Sequence, residues 1–162
     1  MKRLETIANI AVIIAAVALL VFLGQQEWIR HNPPSMATAR SLEGKAVHLP
    51  GVQFAAQSRT LVIAISTQCH FCRDSEPFYK ELAEKPASRA KLVAVLPQPQ
   101  SEAEQYVHQS IGPSVQVVSA PLDSLGVTGT PTLLLIDGSG RVQKAWVGKL
   151  DGPAQQQVQS LL

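Results

Sequence analysis

The sequence predicts an α/β domain in which helices sandwich a mixed β-sheet, preceded by one N-terminal transmembrane helix. Three observations carry this expectation. From about residue 41 onward, apolar runs rich in β-branched residues alternate with segments of helical periodicity. Near the C-terminus a turn sequence, Asp137-Gly138-Ser139-Gly140, separates two strand-like runs. At the other end, Ile7 to Leu23 is a continuous apolar stretch with Asn9 as its only polar residue.

That first stretch is seventeen residues long, with Leu4 and Gly24 able to extend it, and it lies at the short end of what crosses a bilayer as a helix. Lys2 and Arg3 precede it, so the positive-inside bias keeps residues 1–6 in the cytoplasm and places the chain after Gly24 outside the cytoplasmic membrane. A cleaved signal peptide shares the basic start and the apolar run. No small-x-small pair stands directly before Gln25, however, since Leu20, Val21, Phe22 and Leu23 are all bulky, and no cysteine is present there to accept a lipid. An uncleaved, single-pass signal anchor over 7–24 with a periplasmic C-terminal domain is therefore expected. Residues 25–40 read as a linker, with Trp28 at headgroup level and His31-Asn32-Pro33-Pro34-Ser35 unable to continue a helix.

The span 41–162 is close to the commonest domain size. Gly44 to Leu49 suggests an edge strand, and Leu61 to Ile65 a strand covered on both faces. Cys69 to Lys85 follows as a helix, with Phe71, Cys72, Phe78, Leu82 and Ala83 near one face. Lys91 to Leu96 is a second buried strand, Ser101 to Ile111 a second helix, and Val115 to Val118 a short extended piece. Thr132 to Ile136 and Arg141 to Val147 form a hairpin, and Pro153 to Leu162 closes the chain as a helix with proline in its first turn.

Composition excludes one function class. The 162 residues carry 14 basic and 12 acidic side chains, for a net charge of +2, and 5% aromatics that do not alternate with Lys or Arg. A nucleic-acid partner needs more of both. The chemistry instead concentrates at Cys69-His70-Phe71-Cys72, which holds the only two cysteines. The pair follows a buried strand and opens a helix, so unpaired N–H groups and the positive end of the helix dipole face Cys69. That placement stabilises a thiolate, making Cys69 the nucleophile; a protonated or donating His70 would add to the effect. Cys72, one turn on and more buried, then resolves a mixed disulfide.

Three other readings compete. A zinc site needs two further ligands, and His31, His48 and His108 are scattered without metal-like spacing. Haem attachment needs histidine directly after the second cysteine, where Arg73 stands. A purely structural disulfide closing so short a loop constrains the unfolded chain little. No metal and no cofactor beyond the cysteine pair is expected.

The cysteine pair after a buried strand, with Gly126-Val127-Thr128-Gly129-Thr130-Pro131-Thr132 and the ensuing Leu-Leu-Leu-Ile-Asp-Gly-Ser-Gly-Arg-Val, resembles the thioredoxin superfamily, and within it the membrane-anchored TlpA/ResA-like thiol-disulfide oxidoreductases. The resemblance covers about Leu42 to Leu162. It implies a thioredoxin-like sheet, catalytic Cys69 and Cys72, and a cis-Pro131 beside them, with the Thr130 backbone presented to a substrate chain. Read without the family, Pro131 is a trans-proline at a strand start. The sequence departs from the family pattern at Gln68, where tryptophan often precedes the first cysteine, and at Ile63, where thioredoxins place a buried aspartate that helps deprotonate the second thiol. Glu76 is expected on a solvated helix face, a turn beyond Cys72. The pattern of peroxiredoxins around the cysteine is absent.

These readings converge on a membrane-tethered thiol-disulfide oxidoreductase acting on extracytoplasmic protein thiols and disulfides and recycled by a membrane redox partner. A non-enzymatic binding module with a structural disulfide and a dedicated thiol reductant for cytochrome c assembly stand as alternatives.

Overall fold

The computed structural model describes residues 14–17, 19–20, 34–54, 59–84 and 90–162. The chain divides into two units between Ala37 and Thr38. In the first, 14–17 and 19–20 are helical, and Ile14, Val17, Leu19 and Leu20 are exposed. Most of the span expected over 7–24, with residues 1–6 and 25–33, lies outside the described residues. Among those described, no helix is long and apolar enough to cross a membrane.

The end of the expected linker is helical instead. Helix α1 is Pro34–Leu42. A proline that cannot continue a helix fits the first turn of the next, where its missing N–H has no partner to lose. Ala39 and Leu42 then enter the core.

The second unit is built on a five-stranded sheet ordered β3-β2-β1-β4-β5. Its strands are β1 (Arg59–Ala64), β2 (Ala90–Leu96), β3 (Gln116–Ser119), β4 (Thr132–Ile136) and β5 (Val142–Val147). Strands β1, β2 and β3 run parallel, β4 is antiparallel to β1, and β5 is antiparallel to β4. The parallel connections are spanned by α2 (His70–Asp74) with α3 (Glu76–Glu84) and by α4 (Gln100–Ser110), and α5 (Gly152–Leu161) ends the chain. The thioredoxin-like mixed sheet with flanking helices thus matches the expected class.

Period-two alternation sorts the strand side chains into two cores. Val62, Ala64, Val93, Val95, Leu134 and Ile136 face α1 and the 47–52 segment. Leu61, Ile63, Ala94, Leu96, Leu133 and Leu135 face the cysteine pair, Phe78, Tyr79 and Val158. Because β1 and β4 are buried on both faces, their sequences read as continuous apolar runs.

Two local differences from the sequence expectation bear on the site. The helix expected over 69–85 breaks at Ser75, whose N–H donates to Cys72 O and whose Oγ donates to Phe71 O. Pro77 explains the break: it has no N–H to donate four residues back, and its ring crowds the carbonyl of Arg73. The edge strand expected at 44–49 shrinks to one bridge, Ala46 to Arg141. It is held beside the hairpin turn, where Gly140 has φ +79° and a Cβ would stand 3.3 Å from Val47 O.

At the opposite edge, the Gln100 side chain lies along β3. Its Nε2 donates to Val117 O at 3.1 Å, and its Oε1 accepts from Ser119 N at 2.9 Å.

Candidate active site

Strand β1 delivers the chain to the site through Ser66, Thr67 and Gln68. Ile65 N donates to Val95 O, keeping the sheet intact to the last residue before the loop. Ser66 Oγ accepts from Gln68 N and from Gln98 Nε2, and Thr67 Oγ1 donates to Glu102 Oε1 on α4. The loop then turns through Cys69 N to Ser66 O at 3.1 Å.

Cys69 is the N-cap of α2, with extended backbone at φ −87° and ψ 112°. Its Sγ accepts from Cys72 N at 3.1 Å, so sulfur does what a serine or aspartate oxygen does at other helix starts. The two cysteines are joined as a disulfide. Cys69 is half-buried, whereas Cys72 is completely enclosed in the core that contains Ile63, Phe78, Leu133 and Trp146.

The Thr130–Pro131 bond is cis, as the family resemblance implies. Thr130 O lies 3.4 Å from Cys69 Sγ. The loop that brings it there is held by Thr132 Oγ1 donating to Gly129 O and by Gly148 N donating to Pro131 O at 2.7 Å. Cys69, Cys72, Thr130 and Pro131 are therefore brought together. When the disulfide is reduced, Cys69 Sγ has an N–H donor on its helix side and a carbonyl acceptor on its loop side, which accommodates thiolate and thiol respectively.

His70 stands on the outside of α2, with 70% of its side chain exposed. Its Nε2 is 3.8 Å from Asp74 Oδ2, and its ring is tilted against Phe71 at 5.7 Å between centroids. Phe71 is 57% exposed, contrary to the buried face expected for it. Among the described residues of 38–162 it is the only large apolar side chain so exposed.

Asp74 also accepts from Lys149 Nζ at 2.9 Å. That hydrogen bond, with the charges of His70, Lys149 and Arg73 around it, holds the Asp74 carboxyl below the usual carboxylate range. The i to i+4 spacing of His70 and Asp74 was readable in the sequence; Lys149, in the loop after β5, was not. Glu76 is not on a solvated face: it is half-buried and accepts from Tyr106 OH at 2.8 Å. Burial, then this carboxylate, pushes the Tyr106 hydroxyl up. At the position of the thioredoxins' buried acid, Ile63 is fully enclosed. Among the described residues, no three His, Cys, Asp or Glu side chains gather to hold a metal ion.

No family model and no curated protein matches the sequence. Solved structures do match. The exposed lipoprotein thioredoxin of Streptococcus pneumoniae shares 20% identity over 66% of this chain and 87% of its own, with a TM-score of 0.54. A thiol-disulfide isomerase from Corynebacterium glutamicum shares 16% over 74% and 92%, also at 0.54. StoA from Bacillus subtilis shares 18% over 64% and 81%, at 0.51. At such identities the likeness is one of fold. With its cysteine pair at the start of α2 and a cis-proline loop against it, this chain has the thioredoxin fold.

Proposed function

We propose that the protein is a membrane-tethered thiol-disulfide oxidoreductase that exchanges dithiol and disulfide with extracytoplasmic proteins. The observation that carries the proposal is the asymmetry of the cysteine pair: one half-exposed sulfur at a helix N-cap, within 3.4 Å of a loop carbonyl, bonded to one fully buried sulfur. The chemistry that follows is balanced thiol exchange. In the reducing direction the Cys69 thiolate attacks a client disulfide, forming a Cys69–client S–S bond, and the second client sulfur departs as thiolate and takes up a proton. Cys72, losing its proton, then attacks Cys69 Sγ and displaces the first client sulfur as thiolate. The first client sulfur also takes up a proton, so the client gains two electrons and two protons, one released by Cys72 and one from solvent, and the protein is left as its disulfide. The helix-start N–H at Cys69 favours this sulfur as both nucleophile and leaving group. Thr130 supplies backbone beside it on which an extended client segment can pair.

Tethering rests on the apolar run after Lys2 and Arg3. An exposed location also suits a cysteine pair that must form and persist as a disulfide. A structural relative described as an exposed lipoprotein points the same way. The reading includes a membrane redox partner that returns the pair to its starting redox state.

Equilibrating the full-length protein in glutathione buffers tests the activity. Reversible, two-electron interconversion of the pair is expected, and a pair that stays oxidised at every ratio makes the disulfide structural and the domain a binding module. An impermeant thiol reagent applied to mildly reduced intact cells tests the location. Cys69 should label before lysis, and protection until lysis, or recovery of a shortened soluble form, removes the tether.

A further inference from the structure

A circuit of contacts closes around the disulfide, and simple thiol exchange does not require half of it. Cys69 Sγ meets Thr130 O, and Pro131 O accepts from Gly148 N. Next along the chain, Lys149 Nζ donates to Asp74 Oδ2, and Asp74 is the last residue of the helix that Cys69 caps. The carboxylate is thus pinned from the β5 side of the site to the cysteine helix. The oxygen that Lys149 holds is also the one 3.8 Å from His70 Nε2.

His70 directly follows the nucleophile, where an imidazolium beside the sulfur would stabilise thiolate. In this structure its ring lies instead along the helix toward Asp74, whose side chain leans back one turn over it. Reduction with Cys69 as thiolate and Cys72 as thiol takes up two electrons and one proton. A cation that reaches the thiolate favours this reduced form, and one occupied by a carboxylate does so less.

We infer that Asp74, anchored by Lys149, is a positioning residue that holds His70 away from Cys69 and so keeps the pair more reducing than a free histidine at that place would leave it. The inference rests on the oxidoreductase reading and names how its redox poise is set. Arg73 and Lys149 are the other charges around Asp74, and both remain when His70 alone is changed.

A double-mutant cycle separates His70-mediated positioning from the plain charge of Asp74. Full-length wild type, Asp74→Asn, His70→Ala and the double variant are equilibrated in glutathione buffers, and the alkylation rate of reduced Cys69 is followed against pH. Asp74→Asn should shift the equilibrium toward the dithiol by about threefold, or about 15 mV for a two-electron couple, and move Cys69 alkylation to lower pH. On the His70→Ala background the same change should do less than half as much, and Asp74→Glu should restore the wild-type potential. No shift in Asp74→Asn, or an equal shift with and without His70, overturns the inference while leaving the oxidoreductase reading intact. A wild-type pair that does not exchange at all overturns both.

Discussion

Cys69 and Cys72 are three residues apart and share one bond, yet their surroundings have little in common. Cys69 precedes the first turn of α2, half-buried, with an N–H donor on one side and the Thr130 carbonyl on the other. Cys72 lies within that turn and points into the sheet, enclosed by aliphatic and aromatic side chains, where Ile63 offers no proton acceptor. The difference follows from helix geometry: the N-cap residue stands outside the helix with extended backbone, while the residue three further on has rotated onto the face that packs on the sheet. One sulfur is therefore open to solvent and the other is enclosed behind it.

The strongest way to break this contrast is to remove each sulfur in turn. Cys69→Ser should lower exchange with disulfide substrates by roughly a thousandfold or more, because no second nucleophile is accessible. Cys72→Ser should instead capture glutathione as a stable mixed disulfide, seen as an added mass on the intact protein. Equal capture by the two variants would erase the distinction.

A smaller effect sharpens the buried side. Tyr79 packs in the same core as Cys72, and burial pushes its hydroxyl up from 10.0 to about 12, against a weaker opposing effect of Ser75. The unfolded chain ionises this group first, so the stability it contributes is complete below pH 10 and is lost as pH rises toward 12. Urea unfolding should show stability lost across that window, with Tyr79→Phe removing about 2–3 kcal/mol of the loss and leaving the part that Tyr106 contributes. In the reduced protein, alkylation should reach the enclosed Cys72 long after Cys69 has reacted.

The smallest effect belongs to the open side. Phe71 stands between the two cysteines with its ring in solvent. Phe71→Ser should slow exchange with peptide disulfides that carry an apolar residue beside cysteine by at most about tenfold, and leave exchange with glutathione unchanged. Equal slowing of both would mean that Phe71 acts on the sulfur chemistry and not on docking.

Sequence pattern carried the sheet further than it carried the site. Leu61 to Ile65 and Leu133 to Ile136 were legible because strands buried on both faces read as continuous apolar runs. Phe71 was misplaced because helical periodicity puts it seven residues before Phe78 and so on the same face. The break at Ser75 resets that phase, and the proline causing it was in plain view. Helix α1 was hidden because Pro34, which opens it, reads as a residue that cannot continue a helix. The cysteine spacing and the proline loop carried the centre of the site, while the pairing of Lys149 with Asp74 and of Tyr106 with Glu76 joins residues far apart in sequence, which no local pattern announces.

The Gln100 amide beside β3 has a consequence for how copies of this domain meet. Ala120 N donates inward to Leu96 O, so by alternation Val117 O and Ser119 N point away from β2, toward whatever approaches that edge. A visiting strand would need those two groups. A primary amide offers one donor side and one acceptor side, as a peptide group does, and Gln100 fills both places. It acts as a counterfeit strand of a single residue, fixed at the first position of α4. A domain proposed to receive extended polypeptide beside Thr130 has to refuse it at its other margin, and here one glutamine makes the refusal.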